Sequence, residues 1–319
     1  MGKFYEGGVP LATVVRSGFP EGVHRGSVVV LSAAGEVVSA AGDVESPMFP
    51  RSSNKPMQAI GMLRSGLRLT DPADLALVCA SHWGESFHVD RVAALLRSAG
   101  LDGSALRCPP DLPLDPAAAA DVIRAGGGPS RILMNCSGKH TGMLLTCLAA
   151  GWSTEEYWLP EHPLQQAIVH AVEDYAGEEV VATGVDGCGA PVLGLSLTAL
   201  ARGFLRLVSG EPGSVEETVA SAMRAHPAIV SGTGAVENTL MTGVPTLLAK
   251  GGAEGVMALA LPGAGAVAVK IDDGGPRATR PVLASALRRL GVTAPALEEV
   301  ADVPLLGGGE RVGSVRSLW

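Results

Sequence analysis

The segment Arg51-Ser52-Ser53-Asn54-Lys55-Pro56 places two reactive side chains three residues apart. Pro56 fits the first turn of a helix, so Ser52 and Lys55 are predicted to share one face at its start. A serine hydroxyl needs a base, and a lysine can serve when burial or nearby cations lower its pKa from about 10.4 toward neutral. Arg51 would assist this lowering, and it could also hold a carboxylate. The structural alternative is a serine N-cap beside an exposed lysine.

Three further segments carry reactive side chains. Residues 79–85 end an apolar helix and include Ser81 and His82. Residues 135–140 are predicted to form a polar loop between a short strand at 131–134 and a helix at 141–150, a position that favours anion or metal chemistry. The third segment is Asp186-Gly187-Cys188-Gly189. The alternative for the first segment is a helix end with solvated polar residues.

Cysteine and carboxylate side chains in these segments suggest a metal site. Cys136, Cys188 and Asp186 offer soft and hard ligands suited to zinc. The alternative is that the two cysteines are buried small hydrophobes. Five cysteines in scattered positions do not indicate a disulfide framework.

Lys270 lies on a predicted strand at residues 266–272. Strand alternation puts it on the same face as Ala266 and Ala268, whose small side chains leave room for a partner. The alternative is a lysine that faces solvent.

Composition and charge exclude several classes of protein. The chain has 319 residues, of which 47% are hydrophobic and 18% charged, so it can bury a core and is not disordered. A net charge of −8, without a run of five basic residues, argues against nucleic acid or an anionic membrane as a partner. No apolar run is long enough to span a membrane, and residues 1–6 contain no hydrophobic signal segment. We therefore expect a cytoplasmic protein.

The order of predicted elements indicates an α+β sandwich. Strands occur near both ends, including a hairpin at residues 27–31 and 37–38, and helices lie between them. We expect one domain over residues 1–319, in which the N- and C-terminal segments share one sheet. The stretch Gly263-Ala264-Gly265 has the spacing of a dinucleotide fingerprint, but a strand follows it where a helix is required.

Taken in order, these segments resemble the asparaginase II family, the rhizobial-type L-asparaginases. The likeness covers nearly the whole chain, and its two longest stretches are unusual and specific. The matching stretches are Arg51-Ser52-Ser53-Asn54-Lys55-Pro56, Ala80-Ser81-His82, Asn135-Cys136-Ser137-Gly138-Lys139-His140-Thr141-Gly142, Gly184-Val185-Asp186-Gly187-Cys188-Gly189-Ala190-Pro191, His226-Pro227, Gly252-Ala253-Glu254-Gly255 and Val269-Lys270-Ile271-Asp272-Asp273-Gly274.

The resemblance implies a fold like that of the serine β-lactamases and penicillin-recognising enzymes, a homodimer, and hydrolysis of L-asparagine to L-aspartate and ammonia. It implies two catalytic pairs, Ser52 with Lys55 and Ser81 with Lys270. Its other implied residues are the zinc ligands Cys136, Lys139 and Cys188 and the substrate-binding residues Arg51, His140 and Asp186.

Two consequences accompany the resemblance. A lysine that binds zinc must be neutral, so zinc binding is expected to depend on pH. Family members often carry a cysteine just after the Gly-Ala-Glu-Gly stretch, whereas Val256 and Met257 stand here. This departure removes support for a redox role at that position but leaves the hydrolysis unaffected.

Two rival functions stay open at this point. A penicillin-recognising acyl hydrolase would share Ser-x-x-Lys, but it would also need Lys-Thr-Gly or Lys-Ser-Gly, and the nearest string is Lys250-Gly251-Gly252. A zinc-stabilised binding protein without catalysis is the second rival. Sequence does not separate asparagine from glutamine as the preferred substrate.

Overall fold

The computed structural model describes residues 4–319. Residues 1–3 lie outside the described residues. They are part of the N-terminal segment, residues 1–6, in which we expect no signal sequence. The strands are β1 Val9–Arg16, β2 Phe19–Ser32, β3 Val37–Ala41, β4 Thr183–Val185, β5 Pro191–Leu193, β6 Leu248–Gly251, β7 Val256–Leu261, β8 Gly265–Ile271, β9 Pro304–Gly307 and β10 Glu310–Ser317.

Helices fill the chain between the terminal strands and after β8. They are α1 Lys55–Arg64, α2 Pro72–Val78, α3 Ser86–Ser98, α4 Pro116–Arg124, α5 Ser137–Ala150, α6 Pro163–Ala176, α7 Leu197–Val208, α8 Val215–Ala225, α9 Pro227–Val230, α10 Val236–Gly243, α11 Pro276–Arg289 and α12 Pro295–Ala301. Short 3-10 turns span Arg51–Asn54 and Gly103–Ala105.

An antiparallel sheet joins both ends of the chain. Its strand order in the described residues is β6-β7-β8-β2-β1-β10-β9, and β3 pairs with β2. The N-terminal β1 pairs with the C-terminal β10, with Val14 opposite Val315. The predicted α+β class, with termini that share one sheet, is confirmed. The hairpin prediction is also confirmed, since Leu31 of β2 lies opposite Val37 of β3.

The sheet core is built from small and β-branched side chains. Residues 28–31 of β2 and nearly all of β7 and β8 are buried, and helices α7 and α11 pack against the sheet. Valine and alanine suit such a surface because they pack closely on a pleat. In residues 4–319, no helix is long and apolar enough to cross a membrane.

Two local predictions around residue 135 are wrong. Residues 131–134 form turns rather than a strand, and the predicted polar loop ends at Cys136 because α5 begins at Ser137. The first turn of α5 packs directly on α2: a Cβ on Gly138 would lie 2.5 Å from the carbonyl oxygen of Leu77. This close contact buries residues 137–140, whose polar side chains had indicated a loop.

Candidate active site

The turn before α1 presents Ser52 at the mouth of a cleft. Arg51 has a φ of 54°, in the left-handed region that a residue with a side chain rarely adopts. The chain just after β6 packs on this turn, and a Cβ on Gly252 would lie 2.5 Å from the carbonyl oxygen of Pro50. Glycine at 252 therefore allows the end of β6 to approach Ser52.

Ser81 lies between two buried lysines. Its backbone N–H donates to the carbonyl of Val230, which fixes the segment after α2. Lys55 Nζ lies 3.0 Å from Ser81 Oγ, and Lys250 Nζ lies 3.1 Å from the same oxygen. Both lysines are 1% exposed. The arrangement lets a proton move between a lysine and the Ser81 hydroxyl without passing through bulk water.

Both predicted serine–lysine pairings differ from the structure. Lys55 contacts Ser81 rather than Ser52, and within residues 4–319 no hydrogen bond reaches Ser52 Oγ. Lys270 Nζ donates to the carbonyls of Glu254 (2.6 Å) and Ile271 (3.0 Å), so the pair of Ser81 with Lys270 is not formed.

The order of strands in the sheet explains why Lys250, and not Lys270, contacts Ser81. Lys250 is opposite Ala258, and Ala258 is opposite Ala268, so Lys250 and Lys270 project from the same face of the sheet. Lys250 stands on the edge strand β6, however, and Lys270 lies two strands further in, at about 4.8 Å per strand. The edge position brings Lys250 to Ser81.

The electrostatic environment makes Lys250 a candidate base. Burial lowers the pKa of Lys250 to about 8; Glu237 opposes this shift, and the nearby Lys55 ammonium adds to it. A lysine with this pKa is partly neutral at physiological pH and can accept a proton.

The two serines and Lys250 open onto one cleft of about 510 Å³. Trp83 forms part of its wall and packs closely on the 231–234 loop, where a Cβ on Gly232 would lie 2.6 Å from the indole. Other lining residues include Asn135, Ser231, Glu237, Glu254, Met257, Thr279 and Arg280.

Within residues 4–319, the three predicted substrate-binding residues are not part of the wall of this cleft. Among the described residues, Arg51, Asp186 and His140 are absent from the lining. Arg51 Nε donates to Asp186 Oδ1 (2.7 Å), and its Nη1 lies 3.5 Å from Glu254 Oε1. His140 is fully buried, with its Nδ1 2.8 Å from the Tyr157 hydroxyl. Their contact with substrate stays a prediction.

The three predicted zinc ligands come together behind the lysines. Lys139 Nζ lies 3.2 Å from Cys188 Sγ, and Lys55 Nζ lies 3.2 Å from Cys136 Sγ. The mutual interaction of the two thiols raises the pKa of Cys136, as burial also does, and lowers the pKa of Cys188. Burial lowers the pKa of Lys139, but the neighbouring sulfurs and Asp186 raise it overall.

The donor set fits zinc in part. Two buried thiols are ligands that zinc accepts. The Lys139 amine can bind a metal only after it loses its proton, and its raised pKa opposes that loss. Within residues 4–319, no group of three or more His, Cys, Asp or Glu side chains is placed to hold a metal. The proposed set therefore depends on Lys139 as the third ligand.

Sequence reasoning missed Lys250, Glu237 and Ser231. The string Lys250-Gly251-Gly252 departs from the Lys-Thr-Gly pattern of penicillin-recognising enzymes, so its sequence does not mark Lys250 as a site residue. Glu237 and Ser231 belong to no stretch that we recognised, so nothing in the sequence marked them.

Three solved bacterial structures are similar to this chain. A β-lactamase from Mycobacterium bovis is 15% identical over 84% of this chain and 95% of its own, with a TM-score of 0.44. A putative β-lactamase from Bacteroides dorei is 15% identical over 84% of this chain and 93% of its own, with a TM-score of 0.47. A glutaminase from Bacillus subtilis is 13% identical over 86% of this chain and 87% of its own, with a TM-score of 0.39.

The sequence itself identifies the family. No curated protein sequence matches the chain. The family model for L-asparaginase II, in contrast, matches residues 12–317, which is nearly the whole chain. The match includes both serines of the cleft, the lysines around Ser81 and the cysteine pair. The chain therefore belongs to the L-asparaginase II family, and it is an amidohydrolase.

Proposed function

We propose that this protein hydrolyses L-asparagine to L-aspartate and ammonia through an acyl-enzyme on Ser52. One observation supports the proposal: the Ser52 hydroxyl, which has no hydrogen bond within residues 4–319, opens onto the same cleft as Ser81, and two buried lysines contact Ser81. Hydrolysis of a side-chain amide needs a nucleophile, a proton donor for the departing ammonia and a stabilised oxyanion.

Ser52 is the better placed nucleophile. Its hydroxyl is not committed to a hydrogen bond within residues 4–319, and it lies where the turn leads into α1. The N–H of Ser53 donates to the Pro50 carbonyl (3.2 Å), whereas the N–H of Ser52 has no backbone partner within residues 4–319, so the Ser52 N–H is the candidate donor to an oxyanion formed beside Ser52. Attack forms the bond from Ser52 Oγ to the amide carbon, and collapse then breaks the C–N bond.

Lys55, Ser81 and Lys250 then form the proton relay. A neutral lysine accepts the proton that Ser52 loses, and the Ser81 hydroxyl passes a proton to the leaving nitrogen, which departs as ammonia. Water hydrolyses the ester in a second round, with the same groups acting in reverse. Lys250 is the stronger candidate for the base because its pKa is about 8.

We also propose a zinc ion held by Cys136, Lys139 and Cys188. When bound there, zinc would supply a fixed positive charge that orients the substrate, since the serines already provide a nucleophile. Arg51, paired with Asp186, would hold the turn that carries Ser52. His140 would support the same cluster from α5.

Ammonia release tests the function directly. The purified protein should release ammonia from L-asparagine, and a parallel assay with L-glutamine measures the preference that sequence does not reveal. Absence of ammonia from both amino acids would reject the proposed reaction.

A penicillin-recognising hydrolase is the second candidate. It gains support from one observation, namely that Lys250 of Lys250-Gly251-Gly252 contacts Ser81 beside the Ser52 turn. A chromogenic β-lactam distinguishes the two, because rapid turnover of that compound without ammonia release from either amino acid would favour this candidate.

Removing a proposed zinc ligand should empty the metal site. We expect Cys136→Ala and Cys188→Ala to lose zinc on purification, with a raised KM and some residual kcat, because the nucleophile is retained. Elemental analysis of the folded proteins measures the zinc content. Cys147→Ala serves as the control, since Cys147 is also buried on α5, and no hydrogen bond within residues 4–319 joins its thiol to Cys136, Lys139 or Cys188. Full zinc occupancy in both ligand variants would disprove the assignment.

A further inference from the structure

Glu237 contributes a carboxylate to the cleft and, within residues 4–319, has no ion-pair partner. It lies in the first turn of α10, and its Oε1 accepts a hydrogen bond from the backbone N–H of Gly251 (3.0 Å). A Cβ at position 251 would lie 2.7 Å from that oxygen, so glycine there makes room for the carboxylate. Within residues 4–319, no lysine, arginine or histidine forms an ion pair with Glu237.

Burial lowers the pKa of Lys250 to about 8 and Glu237 opposes this shift, but no ion pair joins the two side chains within residues 4–319. A carboxylate in a partly enclosed site is costly unless a cation or donors compensate it. Among the described residues, the N–H of Gly251 is the only hydrogen-bond donor to the Glu237 carboxylate, which is therefore open to contact by a cationic group of a ligand.

Ser231 adds a second free acceptor to the same cleft. Its side chain is 2% exposed, and its Oγ has no hydrogen-bond partner among the described residues. Its backbone carbonyl accepts from Trp83 N–H (2.7 Å), which anchors the residue next to the segment that carries Ser81. Buried hydroxyl groups normally have a partner, so a bound ligand is the natural donor for this one.

We propose that Glu237 and Ser231 bind the α-ammonium group of the substrate, so that the enzyme selects amides with a free α-amino group. This inference rests on the proposed function and names its substrate class. An ammonium group has three N–H donors and one positive charge, which match a carboxylate oxygen and a hydroxyl. The two residues would fix the amino end while the side-chain amide lies near Ser52.

A pair of amides that differ only in the α-amino group tests the proposal. L-asparagine and succinamic acid share the amide and the carboxylate. In full-length Glu237→Gln, the ratio of kcat/KM for L-asparagine to that for succinamic acid should fall by about 10- to 100-fold, the range for a hydrogen bond to a charged group. Glutamine keeps an acceptor for Gly251 N–H, so the fold of the loop is preserved. Ser231→Ala should lower the same ratio by a smaller factor.

Glu298→Gln is the matched control, because Glu298 is an exposed carboxylate outside the cleft. An unchanged ratio in Glu237→Gln, with ammonia release intact in the wild type, would overturn the subsite and leave the proposed function standing. If the wild type hydrolyses neither amide, calorimetry with L-aspartate and succinate decides. Preference for L-aspartate that Glu237→Gln loses supports the subsite, and equal binding rejects it.

Discussion

Ser52→Ala is expected to lower kcat for ammonia release from L-asparagine by about 10⁴-fold or more, the scale seen when a serine nucleophile is removed. Ser52 opens onto the cleft with no competing hydrogen bond within residues 4–319, and no other hydroxyl lies on the turn before α1 with access to the substrate. Ser53 is fully buried and donates to the Pro50 carbonyl, so it cannot replace its neighbour.

Ser81→Ala separates the role of nucleophile from that of relay. We expect the Ser81 variant to lose less, about 10²- to 10⁴-fold, because it removes a proton-transfer group. Ser98→Ala, a hydroxyl on α3 that does not line the cleft, is the control and should keep wild-type turnover. Near-normal activity of Ser52→Ala together with loss of activity in Ser81→Ala would exchange the two roles. Zinc content and circular dichroism of each variant verify that the fold is retained.

Lys250→Met should lower kcat by about 10²-fold or more, whereas Lys270→Met should keep most of the activity. The two lysines project from the same sheet face, but only Lys250 reaches Ser81. Lys250→Arg should fail almost as badly as Lys250→Met, because a guanidinium does not release its proton in this pH range. The comparison is decisive because the family resemblance implies Lys270 as the partner of Ser81, whereas the structure places Lys250 there.

The pH profile provides a second readout for Lys250. The neutral form of a lysine increases as pH rises through its pKa, so wild-type kcat/KM should rise through about pH 8. This rise should disappear in Lys250→Met and persist in Lys270→Met. A variant with a merely structural defect would lower the whole profile without removing its rise. Loss of activity in Lys270→Met alone, with the profile of Lys250→Met unchanged, would restore the pairing that the sequence predicted.

The sequence by itself determined the family, the α+β class and the two serines, Ser52 and Ser81, that line the cleft. The family is recognisable from long, unusual stretches such as residues 135–142 and 184–191. Each of these stretches is contiguous in sequence, so it can be identified without knowledge of the fold. The N-terminal hairpin was also readable from its alternating pattern and turn residues. The local pattern failed at residues 137–140, where polar side chains indicated a loop. They lie instead in a buried helix, because α5 packs on α2 through Gly138.

Only the tertiary structure decided which lysine reaches Ser81 and which carboxylate opens onto the cleft. Strand order is a long-range property: Lys250 and Lys270 are 20 positions apart in sequence, and only the placement of β6 at the sheet edge gives Lys250 its contact with Ser81. The same holds for Lys55, whose long side chain passes Ser52 to reach a serine 26 residues away. Glu237 and Ser231 had no local signal, because their role depends on two chain segments that meet only when α10 packs beside β6.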